Sequence, residues 1–421
     1  MIRAVMGTVG TRVVVTLMNL MVVMAAGRLL GAEGLGTISL LILGTALILL
    51  VNNVVSGGGA VYLTPRYGAE ALRRPGYAWT LASGITGFFV LRATGMVPAP
   101  WHAAVAVIAT LQGGINLHLG IILGRQRVAT HNALLVLQAV LQTGLFLQLL
   151  HDGDATVMDH VHASTISNGV VLLLSGYLSV GTGTGPAPAL PLERPYGALF
   201  RQGLSAQAAN ALQLLNYRYA YLLLERWVGL AGLGIYSVGI QLAEGGWMVP
   251  KSIGMVLYAR VSNAADARLE RSLTLAAVKV SVLATAAFTG TLLLLPDAFY
   301  QWLFGPEVRG LQGLLWWLLP GLLAMAASQA LSHYLSGAGQ VRRNAIGSGI
   351  GAAVTLLAAT WAIPRWGLQG AAGSASLAYC ASVAYQWWSF QVLTGAGWRD
   401  LLPTAADRHA MALLLKRLTG A

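Results

Sequence analysis

The chain has 421 residues, of which 56% are hydrophobic and only 10% are charged. A soluble domain carries about 25% charged residues, so this chain cannot cover itself with polar surface in water and needs lipid as part of its solvent. The net charge of +12 does not indicate a nucleic-acid partner, because the basic residues are spread over short polar gaps between apolar segments.

Apolar runs recur along the whole chain, and a helix of about 20 residues suffices to cross ~30 Å of hydrocarbon. The predicted spans are 7–27, 37–57, 77–97, 103–123, 130–150, 160–180, 200–222, 234–257, 273–295, 311–333, 344–363 and 369–391. The sequence therefore predicts an all-α polytopic membrane protein with about twelve transmembrane helices.

The basic residues give the predicted orientation. With the N-terminus inside, 18 of the 26 Lys and Arg residues fall in cytoplasmic segments, five in the opposite loops and three within spans. This asymmetry follows the positive-inside rule and predicts that both termini are cytoplasmic. Arginine far exceeds lysine, which is typical of a GC-rich bacterial genome, so we expect a multi-pass protein of the bacterial inner (cytoplasmic) membrane.

The longest connection lies at the midpoint of the chain and is rich in Gly and Pro, as flexible linkers are. It divides the chain into four predicted parts. These are an N-terminal six-helix lobe (1–180), a cytoplasmic linker (181–199), a C-terminal six-helix lobe (200–393) and a cytoplasmic tail (394–421).

Two glycine-rich segments repeat at a constant offset of 198 residues. The identical pairs are Arg28/Arg226, Gly31/Gly229, Gly34/Gly232, Leu35/Leu233, Gly36/Gly234 and Ser39/Ser237. Each segment follows the first span of its half. Because six spans is an even number, both halves face the same way, which predicts a pseudo-twofold axis along the membrane normal and a central cavity between the lobes.

Four segments carry a resemblance to a known family. They are GRLLGAEGLGTISL, ERWVGLAGLGIYSVGIQLAE, WWLLPGLLAMAASQALSHYLSGAGQVRRN and AIPRWGLQGAAGSASLAY. Together they resemble the bacterial polysaccharide transporter family, the O-antigen and exopolysaccharide repeat-unit flippases of the multidrug/oligosaccharidyl-lipid/polysaccharide exporter superfamily. The resemblance implies two six-helix lobes around a cavity. It also implies movement of an undecaprenyl-diphosphate-linked oligosaccharide from the cytoplasmic to the periplasmic leaflet, with a polysaccharide polymerase as a possible partner.

The polar residues of the seventh predicted span indicate the main substrate site. Gln207 and Arg218 are eleven residues apart and nearly eclipsed on a helix, and Asn210 lies about 60° away. A guanidinium fork suits a diphosphate, so we expect these residues to line the cavity wall. An arginine that pairs with a neighbouring carboxylate or snorkels toward the interface is the structural alternative.

Span eight supplies Glu244 and Lys251, which would share a face of one continuous helix because they are seven residues apart. Glu244 is the only carboxylate that we place within a span, so it is the candidate for ion coupling; a structural pair with Lys251 or Arg218 is the alternative. Lys251, Arg12 and Asn52 complete the predicted substrate contacts. The alternative interpretation of Arg12 is an anchor at the membrane surface, and that of Asn52 is a hydrogen bond between helices.

Two other classes of protein remain open. A cation-coupled multidrug exporter of the same superfamily would share the frame, although the cavity candidates here are mainly basic and favour an anionic substrate. A polyprenyl-linked-sugar glycosyltransferase or polymerase usually has large periplasmic loops that this chain lacks. The segment His151–Asp154 with Asp159, His160 and His162 resembles a metal cluster, but a solvated acidic loop is the simpler interpretation. We expect a transporter without enzymatic activity, cofactor or metal.

Overall fold

The computed structural model describes residues 2–151, 154–180, 195–262 and 266–402. The long elements of its first part are α1 (Ile2–Leu29), α2 (Gly31–Ser56), α3 (Gly58–Tyr67), α4 (Ala69–Thr94), α5 (His102–Gly124), α6 (Val128–His151) and α7 (Val157–Val180). The remaining ones are α8 (Pro195–Trp227), α9 (Leu230–Gly245), α10 (Met248–Val261), α11 (Ala267–Leu294), α12 (Asp297–Phe304), α13 (Leu311–Gly337) and α14 (Val341–Thr394). Short 3₁₀ turns occupy Ala99–Trp101 and Trp398–Leu401.

The predicted all-α class is confirmed: no strand occurs in the described ranges, and each of the twelve predicted spans is helical over most of its length. Eight described segments are long and apolar enough to cross a membrane. Those segments leave out α4, α8 and the α9–α10 pair, which contain several of the charged side chains. A helix satisfies its own backbone hydrogen bonds, which is why apolar segments of this length fold as helices in lipid.

One predicted span is broken and two are joined. The predicted span 234–257 is two helices, because α9 ends at Gly245 and α10 begins at Met248. The last two predicted spans form the single element α14, which is interrupted at Gly367, where φ is 52° and ψ is −125°. A side chain at that position would be strained, so glycine permits the sharp bend that follows Pro364.

The described helices group into two compact units. Unit 1 comprises Met1–Leu214, Leu224–Ser237 and Ala298–Arg309, and unit 2 comprises Leu215–Leu223, Val238–Asp297 and Gly310–Ala421. Unit 1 therefore includes three segments from the predicted C-terminal lobe (200–214, 224–237 and 298–309), and the lobe boundaries drawn on the sequence remain a prediction. Residues 195–199 of the predicted linker lie in α8, whereas 181–194 and most of the predicted tail lie outside the described residues.

Within unit 1, α5 packs against α2, α4 and α7, and α6 packs against α1 and α7. The segment 298–309 is fixed to the turn between α1 and α2. The Arg28 side chain donates a hydrogen bond to the carbonyl oxygen of Trp302, with an Nε–O distance of 3.1 Å. The backbone nitrogen of Ala32 donates to Glu307 Oε2 at 2.7 Å, so this carboxylate satisfies the N-terminus of α2.

The two glycine repeats meet inside unit 1. A Cβ atom on Gly36 would overlap the carbonyl oxygen of Leu230, and a Cβ atom on Gly234 would overlap that of Ala32. Because 36 and 234, like 32 and 230, are equivalent at the offset of 198, the contact is reciprocal. Only glycine allows α2 and α9 to approach this closely, as small residues do where membrane helices cross.

In unit 2, α13 is the central helix and packs against α10, α11 and α14. Its core consists largely of aliphatic and aromatic side chains such as Leu257, Val278, Leu331, Tyr334 and Phe390. Helices α11 and α14 both lie on α13 but touch each other only slightly.

Candidate substrate and ion site

The centre of the candidate site is an ion pair within unit 2. Arg218, on α8, places its Nη2 atom 3.1 Å from Oε1 of Glu244, on α9. Both side chains are half-buried, with 26% and 33% of their surface exposed. The two residues that the sequence singled out for diphosphate binding and for ion coupling are therefore direct partners.

Tyr221 holds the guanidinium of Arg218 from the next turn of α8. The Arg218 Nη1 atom donates to the Tyr221 hydroxyl, and the guanidinium carbon lies 4.9 Å from the centre of the Tyr221 ring. Tyr221 is only 3% exposed, so its orientation is set by packing. Sequence reasoning missed this residue, although its position three residues after Arg218 on a helix was a usable signal.

An aromatic cluster lies in the same unit. Tyr217, Trp247 and Tyr379 have ring centres 5.8 to 6.0 Å apart, in edge or tilted arrangements. Trp247 is 2% exposed, and its indole nitrogen is buried without a hydrogen-bond partner in the described part of the chain. Unit 2 therefore carries aromatic surface as well as the Arg218–Glu244 ion pair.

The continuous helix on which the predicted shared face of Glu244 and Lys251 depends is interrupted. Their spacing of seven residues implies a common face only on a continuous helix, and the chain leaves helical geometry at Gly246 and Trp247. Lys251 is instead exposed at the start of α10, with its Nζ atom 6.0 Å from the centre of the Trp247 ring. Glu244 takes Arg218 as its partner in the described structure.

Gln207 and Asn210 belong to unit 1, whereas Arg218 belongs to unit 2. Gln207 is 8% exposed, and its Nε2 atom donates to the carbonyl oxygen of Asn53 at 3.4 Å. The exposed Asn210 donates to Gln207 Oε1 at 3.1 Å. The two amides thus form one short polar chain on α8, and their contact with substrate remains a prediction.

Asn52 is a buried hydrogen-bonding centre of unit 1. It is 1% exposed, and its Nδ2 atom donates to Thr80 Oγ1 and to Ser83 Oγ, each at 3.1 Å. The Ser56 hydroxyl donates to its Oδ1 atom. This geometry favours the interhelical alternative over a sugar contact, because Asn52 ties α2 to α4.

Arg12 lies on α1 with an exposed side chain, a placement compatible with both interpretations made from the sequence. The acidic and imidazole cluster near residue 151 lies partly outside the described residues, since Asp152 and Gly153 are not among them. Within the described ranges, no group of three His, Cys, Asp or Glu side chains is arranged to hold a metal ion.

Comparisons with known proteins identify the fold. No protein-family model and no curated protein sequence matches the chain. Among solved structures, the inward-facing conformation of a multidrug resistance MATE family transporter of the MOP superfamily matches with a TM-score of 0.70 and 17% identity, over 90% of this chain and 95% of that one. An outward-facing conformation of such a transporter matches with a TM-score of 0.64 and 16% identity, over 94% and 95%.

The lipid II flippase MurJ, in an inward closed conformation, is similar to the same degree. Its TM-score is 0.69 at 10% identity, and the match covers 93% of this chain and 88% of that one. The chain has the multi-pass helical fold of transporters of the MOP superfamily.

Proposed function

We propose that this protein is a flippase that moves a lipid-diphosphate-linked oligosaccharide repeat unit from the cytoplasmic to the periplasmic leaflet, for polysaccharide synthesis. Its substrate would be an undecaprenyl-diphosphate-linked oligosaccharide carried through by alternating access. The main observation in support of this proposal is the half-buried Arg218, which Glu244 and Tyr221 hold in place. A fixed guanidinium in this setting suits a diphosphate.

The charge balance of the predicted spans supports an anionic substrate. Basic residues within the predicted spans, such as Arg218, Lys251 and Lys279, outnumber acidic ones, of which Glu244 is the only example. Ionisable side chains are costly in the membrane and are commonly functional there. A surplus of positive charge attracts a diphosphate and repels a cationic drug.

The Arg218–Glu244 pair also suggests how binding is coupled to an ion. In the paired state the carboxylate neutralises the guanidinium. When Glu244 takes up a proton or another cation, the attraction between the two side chains falls and the guanidinium becomes available to the diphosphate. Release of substrate on the other side would restore the pair.

The fold likeness to a lipid II flippase is compatible with this proposal, since that protein acts on a lipid-linked substrate. The same fold likeness supports a second candidate, a cation-coupled multidrug exporter. One observation favours it: Tyr217, Trp247 and Tyr379 offer aromatic surface for an apolar cation, in the same unit as the carboxylate of Glu244.

A paired assay in a deletion strain separates the two functions. The chain and its Arg218→Ala, Arg218→Lys and Glu244→Gln variants would be scored for surface polysaccharide and for resistance to cationic drugs. We expect wild type to restore polysaccharide and Arg218→Ala to lose it, with partial recovery in Arg218→Lys. Arg226→Ala is the matched control, because Arg226 is an exposed arginine at the end of the same helix.

Restored drug resistance without restored polysaccharide would establish the exporter and overturn the flippase proposal. A polysaccharide level that is unchanged in both Arg218→Ala and Glu244→Gln, at equal expression, would show that the site lies elsewhere. Glu244→Gln distinguishes coupling from binding, because it keeps the side-chain shape while removing the exchangeable charge.

A further inference from the structure

Uncharged amide side chains form a cluster inside unit 1 that joins α2, α5 and α8. The Asn116 Nδ2 atom, on α5, donates to Asn53 Oδ1, on α2, at 3.1 Å, and Gln207, on α8, donates to the backbone carbonyl oxygen of Asn53. Asn210 extends the cluster through its hydrogen bond to Gln207. Gln112 lies one turn before Asn116 on the same face of α5. These side chains are called the amide cluster below.

The amide cluster has hydrogen-bonding capacity that the protein does not use. Each amide has two N–H donors and a carbonyl oxygen with two lone pairs. The Asn53 oxygen accepts from Asn116, but within the described ranges neither N–H group of the Asn53 side chain has a partner. Gln112 makes no side-chain hydrogen bond to the described part of the chain. The cluster therefore offers both donors and acceptors to a ligand.

These uncommitted groups are accessible. Asn53, Gln112 and Asn116 are partly exposed, and Asn210 is exposed. Where side-chain nitrogen and oxygen atoms of the described residues are buried without a partner, they belong to residues outside the amide cluster. An unpaired amide is costly in hydrocarbon, so accessible amides within a membrane span are expected to face water or a polar ligand.

Asn52, which directly precedes Asn53, shows how an amide with a purely structural role is placed in this unit. It is 1% exposed, and its N–H groups donate to Thr80 and Ser83. Asn53 differs in both respects, because it is partly exposed and its N–H groups are uncommitted in the described structure. Packing between helices accounts for Asn52 but leaves the spare capacity of Asn53 unexplained.

The chemistry of the amide cluster suits hydroxyl groups better than ions. A hydroxyl group both donates and accepts, and amides supply both kinds of partner. A hard cation would need oxygen ligands alone, and an anion would be held best by charged donors, whereas these side chains are uncharged. A sugar ring presents several hydroxyl groups side by side, so a carbohydrate is the ligand class that fits.

We propose that the amide cluster is a glycan subsite, which binds hydroxyl groups of the sugars that the transported lipid carries. The choice of a glycan rests on the proposed function, since the oligosaccharide is the polyhydroxyl part of that substrate. By the orientation predicted from the basic residues, Asn53, Asn116 and Gln207 lie in the cytoplasmic halves of their spans, on the side where the substrate would enter. The subsite adds recognition of carbohydrate to the recognition of the diphosphate.

A pair of lipids separates binding of the glycan from binding of the diphosphate. Dissociation constants would be measured for the full chain in phosphatidylcholine nanodiscs, with undecaprenyl diphosphate and with undecaprenyl diphosphate that carries a neutral tetrasaccharide. We expect wild type to bind the tetrasaccharide-bearing lipid about tenfold more tightly, since one neutral hydrogen bond is equivalent to a factor of about two to ten. O-methylation of the tetrasaccharide, which removes its donors, should reduce this preference. Equal constants for the two lipids would overturn the subsite.

Gln112→Leu is the most informative variant, because it removes an amide that has no hydrogen-bond partner in the described part of the chain. We expect it to weaken binding of the tetrasaccharide-bearing lipid about two- to tenfold, with unchanged stability and unchanged binding of undecaprenyl diphosphate. Gln138→Leu is the matched control, since the Gln138 amide donates to Asn168 at 2.7 Å between α6 and α7 of the same unit. It should lower stability and leave both dissociation constants unchanged.

Asn53→Leu tests the centre of the cluster and should reduce the preference for the tetrasaccharide-bearing lipid by a similar factor. A preference that stays at the wild-type value in both Gln112→Leu and Asn53→Leu would overturn the subsite. If Asn53→Leu does not fold, Gln112→Leu decides the question, because its loss breaks no hydrogen bond within the described residues.

Failure of this inference and failure of the proposed function are distinguishable. Equal binding of the two lipids, by a protein that restores polysaccharide in the deletion strain, would overturn the glycan subsite and leave the flippase standing. A preference for the tetrasaccharide-bearing lipid that depends on Gln112, in a protein that restores no polysaccharide, would retain the subsite and remove the function.

Discussion

Gly36 and Gly234 occupy equivalent positions in the two sequence repeats and make the same contact in opposite directions. Each lies so close to a backbone carbonyl of the other repeat, at Leu230 and Ala32 respectively, that neither position has room for a side chain. The sequence repeat is therefore also a packing element of unit 1, in which α2 and α9 cross through their glycines.

We expect Gly36→Val and Gly234→Val each to lower the free energy of unfolding by about 1 to 3 kcal/mol, because the new side chain must displace backbone. The double variant should lower the free energy of unfolding by less than the sum of the two single effects, since both substitutions disrupt the same helix crossing. Unfolding in mixed micelles measures the effect. Gly144→Val is the control, because a Cβ atom at that position meets nothing within 4 Å; equal stability of all three variants would refute the close crossing.

Asn52 should matter for stability more than for substrate. Asn52→Leu leaves the hydroxyls of Thr80 and Ser83 without this partner, at a cost of about 1 kcal/mol in the free energy of unfolding. Transport per folded molecule should stay close to that of wild type. A normal folded fraction combined with a large loss of transport would instead restore Asn52 as a substrate contact.

Glu307 should stabilise the start of α2. Its carboxylate accepts a hydrogen bond from the backbone nitrogen of Ala32 at 2.7 Å. Glu307→Gln removes the negative charge from the helix N-terminus, and we expect faster amide hydrogen exchange in the first turn of α2. Glu225→Gln, at an exposed carboxylate near the end of α8, is the control. Exchange rates that stay unchanged in Glu307→Gln would show that the carboxylate does not hold this turn.

The pairing of Asp400 makes the end of the described chain sensitive to acid. The backbone N–H of Gly397 and the guanidinium of Arg271 hold the pKa of Asp400 below its ordinary value. Because the folded-state pKa is the lower one, the stabilisation is complete above the ordinary value and is lost as the pH falls through the lowered pKa. Limited proteolysis between neutral pH and pH ~3 should show release of the Trp398–Leu401 turn. Asp400→Asn should remove this pH dependence, and an unchanged dependence would contradict the assignment.

Much of the fold follows from hydropathy, because a run of about 20 apolar residues has no alternative to helix in lipid. The helix breaks do not follow so simply. The interruption at Gly246 and Trp247 lies inside a predicted span, where average hydropathy conceals it, and it removes the continuous helix from which the shared face of Glu244 and Lys251 was inferred. The eight-residue helix α12 is too short to register as a span.

Sequence reasoning about the candidate site has the same limit, because it does not show how neighbouring helices pack. Helical periodicity singled out Arg218, and the scarcity of carboxylates in the spans singled out Glu244. Their pairing depends on how α8 and α9 pack, which spacing within one helix cannot reveal. Asn52 shows a different difficulty, because a polar residue in a predicted span fits a substrate contact and a hydrogen bond between helices equally well. Only the positions of Thr80 and Ser83 in the structure favour the hydrogen bond between helices.

The central claim is that Arg218 binds the diphosphate of a lipid-linked oligosaccharide. The most direct measurement is the movement of a fluorescent undecaprenyl-diphosphate oligosaccharide between leaflets of proteoliposomes, followed by quenching from outside. Arg218→Ala should slow this movement by about ten- to a hundredfold, the effect of losing a charged hydrogen bond, while Arg226→Ala remains at the wild-type rate. Movement at the wild-type rate in Arg218→Ala, with the protein folded and inserted, would contradict the account.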